Sequence, residues 1–161
     1  MQTFLPHSAP AFCAEALDSK RLNKQILEGY QILNVLSGQS PSGAWRNHPA
    51  VLMWKNSEWH LWTYIQACIK EAIGRGIKTD KNVANLNSLK DRVSSLWSDD
   101  TPAFAINTES LNRVIATHRA NLYIKDPVYY IKYKDSVSNA YNKPCCDRCK
   151  YYWPTHVKVV A

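Results

Sequence analysis

The stretch Asp18-Ser19-Lys20-Arg21-Leu22-Asn23-Lys24-Gln25-Ile26-Leu27-Glu28-Gly29-Tyr30-Gln31-Ile32-Leu33, which runs on to Ser37 and Gly38, decides the fold. Leu22, Ile26, Tyr30 and Leu33 recur at helical spacing on one face, while Arg21, Lys24, Gln25, Glu28 and Gln31 fall on the other. Asp18 is a good N-cap and Gly38 a good stop, so the spacing predicts a helix from 18 to about 37. One of its faces packs and the other is free to work.

The helical period continues outward. Residues 8 or 9 to about 17 read as a short helix with Pro10 in its first turn. Ser57 can cap a long helix to about 74, with Trp59, Trp62 and Ile65 toward a core and Gly74 and Gly76 at its end. Residues 82–97 read as a polar, peripheral helix. From about 108 to 125, Leu111, Val114, Ile115 and Leu122 stand at core spacing until Pro127 interrupts. Tyr129, Tyr130 and Tyr133 make an aromatic turn, and 136–144 reads as a mobile loop. With no repeat and no linker, the expectation is all-α: one compact helical bundle with irregular loops over 1–161, of which 136–161 is a loop-rich C-terminal segment.

Composition narrows the partner. A chain of 161 residues buries a full core without disulfide or metal staples. Twenty Lys+Arg against thirteen Asp+Glu give a formal charge of +7 and a pI near 9.2, the footprint of a protein that meets polyanions, so duplex DNA is the expected partner. No run approaches the ~18 apolar residues of a membrane span, and no basic-then-apolar leader opens the sequence, so a cytoplasmic protein without membrane contact is expected. Five cysteines, an odd number, fit reduced thiols better than a disulfide framework. The oligomeric state is left open.

Trp45-Arg46-Asn47-His48-Pro49 carries the densest chemistry. Trp45 offers a stacking surface, Arg46 a bidentate grip on phosphate or carboxylate, Asn47 a contact to a base edge or sugar, and His48 a group that titrates near neutral pH. Pro49 biases His48 to extended backbone and marks the mouth of a helix. The structural alternative is a loop-to-helix junction with Trp45 in the core and Arg46 in an ion pair. Trp54, Trp59 and Trp62 stand at spacing that favours core over base stacking. His118 falls in register with Leu111, Ile115 and Leu122, as a hydrogen-bonded histidine at the core edge does, and Arg119 beside it points elsewhere.

Cys145-Cys146-Asp147-Arg148-Cys149, with His156 beyond, admits a structural zinc, because Cys146 and Cys149 have ligand spacing and Cys145 with His156 can complete a tetrahedral set. Adjacent cysteines are awkward for one ion, and no second two-residue-spaced pair exists. Free thiols in a tail, and therefore no cofactor, are the expectation, with a redox pair as the remaining alternative. Cys13 and Cys68 lie on helix faces and belong to the core.

Met1-Gln2-Thr3-Phe4-Leu5-Pro6, Leu17-Asp18 with Arg21-Leu22-Asn23-Lys24-Gln25 and Glu28, and Trp45-Arg46-Asn47-His48-Pro49 resemble a bacterial and phage group whose members are mostly uncharacterised. So do His118-Arg119-Ala120-Asn121-Leu122, Lys125-Asp126-Pro127 with Tyr130, and Tyr152-Trp153-Pro154. That group is similar to the pyrimidine-dimer DNA glycosylase (endonuclease V) family. The resemblance implies an endonuclease V-like helical protein that bends duplex DNA, flips a nucleotide and attacks the sugar C1′ with its N-terminal α-amine, with a helix-borne glutamate assisting base release and strand cleavage. α-Amines titrate near ~8, far below lysine, which suits them to Schiff-base chemistry.

Two positions depart from the family. Gln2 follows Met1 where the family exposes a small residue after methionine removal, so Met1 is expected to stay and the nucleophile shifts by one residue. The family's Arg-Glu pair aligns with Lys24-Gln25, and Gln25 cannot take a proton as a carboxylate does. Glu28, one turn beyond Lys24 on the same face, can supply the acid/base, and Lys24 is a second candidate amine if burial lowers its pKa. The alternative for both is a solvated charged face.

The expected catalytic set is therefore Met1, Lys24, Gln25, Glu28 and His48. The expected nucleic-acid contacts are Gln2, Arg21, Trp45, Arg46, Asn47, Arg119, Asn121 and Lys125. Three functions fit these residues: a DNA glycosylase/AP lyase for damaged or modified pyrimidines; a DNA-binding or regulatory protein that keeps the fold without the chemistry; and an enzyme of free nucleotides or other phosphorylated small molecules.

Overall fold

A computed structural model describes residues 1–139 and 151–155 of the chain. Its described residues are helical with no strand, and the elements begin and end on local chemistry. Helix α1, Pro10–Ala16, starts on a proline whose missing N–H costs nothing in a first turn. Asp18 caps α2, Ser19–Leu36, by accepting the Arg21 amide at 3.0 Å, and Gly38 follows its end at φ 69°. Pro49 opens the one-turn helix α3, Pro49–Leu52, capped by His48, whose Nδ1 accepts the Ala50 N–H at 3.1 Å. Helix α4, Glu58–Gly74, precedes α5, Asp80–Val93, and Asn107 caps α6, Thr108–Lys125, by accepting from the Ser110 N–H at 2.8 Å. A last turn, α7, is Ser136–Asn139.

Helix α4 is the hub, with α2 and α1 laid against it and α5 packed on α2. Leu22, Ile26 and Leu33 of α2 meet Leu61, Ile65 and Cys68 of α4 in a core that excludes solvent. Among the described residues Cys13 and Cys68 are free buried thiols, and burial raises each to about 12, so both are inert core groups. The 3-10 turns at 103–105 and 131–133 pack against α6.

Several expectations need correction. Ser57 makes no side-chain cap. Instead the Glu58 carboxylate takes the Asn56 N–H at 3.2 Å and the Ser98 N–H at 2.9 Å. The 82–97 segment is neither wholly α-helical nor peripheral, since α5 ends at Val93 in a 3-10 turn and buries Leu86 and Leu89 completely. Residues 136–139 form a helical turn rather than loop. As expected, Trp54 is core, and Trp59 and Trp62, half-buried, pack against the core with their rings edge-on and tilted to Trp97 at 5.0 and 5.6 Å. Among the described residues no helix is long and apolar enough to cross a membrane.

Candidate functional site

Residues 2–7 have no periodic pattern and no strand partner, yet most of their main-chain polar groups are held by side chains. Glu28 Oε2 accepts the Gln2 N–H at 3.0 Å. Gln25 accepts the Phe4 N–H at 2.8 Å and donates to the Gln2 carbonyl at 3.1 Å. Tyr64 donates to the Phe4 carbonyl at 2.8 Å, and His118 Nδ1 accepts the Leu5 N–H at 2.8 Å. Trp54 Nε1 donates to Thr3 Oγ1 at 3.0 Å, and Arg119 Nε to the Pro6 carbonyl at 2.7 Å. Side chains from α2, α4, α6 and the turn after α3 thus pin this segment over α2.

The pinning delivers the chain's first nitrogen to a carboxylate. Met1 N lies 3.9 Å from Glu28 Oε1, with both side chains about 7 % exposed or less. Lys24 Nζ reaches the same oxygen at 3.4 Å, but its side chain is 66 % exposed and its ammonium is screened by water. Two amines therefore share one buried carboxylate. They line a cleft of about 350 Å³ with Gln2, Phe4, Gln25 and Tyr151 as its floor and walls, and Lys20, Arg21 and Lys125 add positive charge.

Arg21 is not free at this rim. It bonds Asp18 at 2.7 Å and approaches Asp126 at 4.0 Å. Burial pushes the Asp18 carboxyl up, but hydrogen bonds from Tyr130 and Arg21 outweigh it and hold the pKa below the usual range. Lys20 was absent from the sequence-derived set. The apolar period hid it, because Lys20 stands only one residue into α2, where its side chain turns back over the cleft.

The Trp45 element reaches the cleft through an aromatic row. Trp45 stands at φ 70° and is 54 % exposed, so it is not in the core, and Arg46 is exposed without an ion pair among the described residues. The Trp45 ring meets His48 at 5.3 Å, His48 meets Trp153 at 6.3 Å, Trp153 meets Tyr151 at 5.2 Å, and Tyr151 meets Phe4 at 6.3 Å. Burial and the positive Met1 amine both lower the His48 pKa, which keeps the imidazole neutral at pH 7. Asn47 is exposed on the same turn.

Met1, Gln2, Lys24, Gln25, Glu28, Arg21 and Lys125 are brought to one cleft, with His48 next to Trp45 toward the far end of the aromatic row. Arg119 and Asn121 are not among its lining residues. Arg119 is bound to Pro6 and contacts His7 Nδ1 at 3.3 Å, and buried Asn121 donates to the Thr117 carbonyl at 2.8 Å. A second hollow of about 470 Å³, beside the start of α6, holds none of the expected residues. The zinc candidates Cys145, Cys146, Cys149 and His156 lie outside the described residues.

The described residues form an all-helical fold whose basic cleft sets an amine against a buried carboxylate. The family model for pyrimidine dimer DNA glycosylase matches residues 1–85, just over half of the 161-residue chain, and the protein belongs to that family. The match spans the pinned N-terminal segment, the amine–carboxylate pair and the Trp45 element, and it ends within α5. Membership in a DNA glycosylase family brings with it a part in DNA repair and binding to DNA. No curated protein and no solved structure matches the chain.

Proposed function

We propose that the protein is a DNA glycosylase with AP lyase activity on damaged or modified pyrimidines in duplex DNA, with the Met1 α-amine as nucleophile and Glu28 as acid/base. The observation that carries this reading is the Met1 nitrogen 3.9 Å from a nearly buried Glu28 carboxylate inside a cleft rimmed by cations.

The amine in its neutral form attacks C1′ as the C1′–N glycosidic bond breaks, and the bonding pair leaves with the base, which takes up a proton from solvent. The nitrogen loses a proton to Glu28, which hands it to O4′ as the C1′–O4′ bond breaks, and the nitrogen lone pair forms the protonated imine. Removal of a C2′ proton then expels the 3′-phosphate, and water hydrolyses the imine to free the amine. Glu28 is suited to these transfers because Gln2 N–H fixes one oxygen and leaves the other toward the amines. Extrusion of the nucleotide is what makes C1′ reachable, and Phe4 and Tyr151 give the cleft aromatic walls for it.

Borohydride reduction on a duplex with a single abasic site tests the chemistry. Wild-type protein is expected to give a covalent adduct mapping to Met1 and lost on N-terminal acetylation. Glu28→Gln is expected to slow the reaction roughly 10²- to 10⁴-fold with DNA affinity nearly intact. An adduct on Lys24 would move the nucleophile to that residue. No adduct on any duplex, with salt-dependent binding retained, would leave a binding protein of the same family.

A further inference from the structure

We infer that Gln25 is a positioning residue, a side-chain clamp that sets the register of the N-terminal segment and so places the amine on Glu28. The inference rests on the reading above for its catalytic consequence, though the clamp itself is geometric.

Gln25 stands on α2 about one turn before Glu28, lines the same cleft, and is only 1 % exposed. Its Oε1 accepts from the Phe4 N–H and lies 2.8 Å from the Tyr64 hydroxyl, while its Nε2 donates to the Gln2 carbonyl. The Phe4 N–H facing one end and the Gln2 carbonyl facing the other fix which end is oxygen. The amide thus brackets residues 2–4 as the edge of a neighbouring strand would. The next polar group outward is the Gln2 N–H on Glu28, and one residue beyond it is the amine. A shift of this segment by one residue would carry the amine several ångströms away, and a misplacement of even about 1 Å costs on the order of 10²-fold in rate.

The amide is chemically selected at this position. A carboxylate would keep the Phe4 N–H at one oxygen but would set its second oxygen, charged and nearly buried, against the Gln2 carbonyl. A protonated carboxyl would present an O–H there and keep the clamp. Gln25→Glu is therefore a clamp that opens with rising pH. The titratable and charged groups around position 25 are Tyr64 of α4, the Met1 amine, Lys20, Arg21, Lys24 and Glu28 of α2, and Lys125 and Tyr151 in the same cleft. Wild type carries all of them too, so the ratio of variant to wild type isolates position 25.

Two measurements on the full chain test this. The first follows hydrogen exchange at the Gln2 and Phe4 amides. Gln25→Ala, and Gln25→Glu at neutral pH, should lose on the order of tenfold or more of their protection with α4 and α6 amides unchanged. The second follows borohydride trapping on abasic duplex at saturating DNA. Gln25→Glu should fall on the order of 10²-fold at neutral pH, approach wild type toward acid pH, and keep its DNA affinity. Unchanged protection at Gln2 and Phe4 would overturn the clamp, and so would Gln25→Glu trapping faster than wild type, which would make position 25 a vacated acid/base site. If wild type itself gives no adduct, the proposed chemistry fails, and the exchange measurement still decides the clamp. Gln25→Glu keeps the side chain's size, so it serves where Gln25→Ala does not fold.

Discussion

His118 ties the N-terminal segment to α6 and makes that tie sensitive to acid. Its Nδ1 accepts the Leu5 N–H, so the neutral ring carries its proton on Nε2, which is buried without a hydrogen-bond partner among the described residues. Phe4, Tyr151 and Trp153 rings surround it at 5.3 to 6.2 Å. Burial pushes its pKa from 6.5 down to about 3. The unfolded chain takes a proton here below 6.5 and the folded chain does not, so this contribution is whole above 6.5 and is lost as pH falls. The slope reaches about 1.4 kcal/mol per pH unit for one group. His7 and His48, also depressed chiefly by burial, act in the same direction. Urea midpoints are expected to drop between pH 7 and pH 5, above the ordinary carboxylate range. His118→Gln supplies a non-titrating oxygen for Leu5 and should flatten that drop. An equal slope in the variant would show that His118 is not its source.

At the scale of elements, the α2–α4 contact governs where Glu28 stands. A Cβ on Gly29 would lie 2.5 Å from Ile65 Cγ1 and 2.8 Å from Cδ1, and Ile65 is fully buried with nowhere to retreat. Gly29→Ala should therefore cost about 1–3 kcal/mol, as overpacking does, despite the better helix propensity of alanine. Ile65→Ala removes both clashing atoms, so the double variant should be markedly more stable than the two single losses sum to. Simple additivity in urea unfolding would contradict this close approach. The α2, α4 and α6 helices were legible because each repeats its apolar period over several turns, bounded by signals such as Asp18, Gly76 and Pro127. Helix α3 is a single turn, too short for a period, and only the His48-Pro49 pair announced it. In α5, three leucine and valine positions were outweighed by polar composition. The N-terminal segment was illegible in a different way, because its partners stand at 25, 28, 54, 64, 118 and 119 and no local pattern links them. For the same reason Gln25 read as a lost carboxylate, since its main-chain partners exist only in the folded chain.

On the scale of the whole molecule, a formal charge of +7 names a class of partner but no face, and the cleft supplies the face. Lys20 and Lys24 come from the first turns of α2 and Lys125 from the last residue of α6, so two helices far apart in sequence converge their cations around Glu28. Arg21 is largely neutralised by Asp18, and Lys24 is shared with Glu28, which leaves Lys20 and Lys125 without an ion pair among the described residues. Arg46 stands exposed on the Trp45 turn, at the other end of the aromatic row. Lys90 is a suitable control, because its ammonium sits 5.5 Å over the Trp62 ring and does not line the cleft. Duplex binding should weaken steeply between ~50 and ~200 mM salt, in proportion to the phosphates neutralised. Lys20→Gln and Lys125→Gln should each lower the slope of log affinity against log salt by about 1, and Arg46→Ala should weaken binding more than Lys90→Ala. Equal slopes in the cleft variants and in Lys90→Gln would show that DNA tracks another face, and no binding at low salt would remove DNA as the ligand of this cleft.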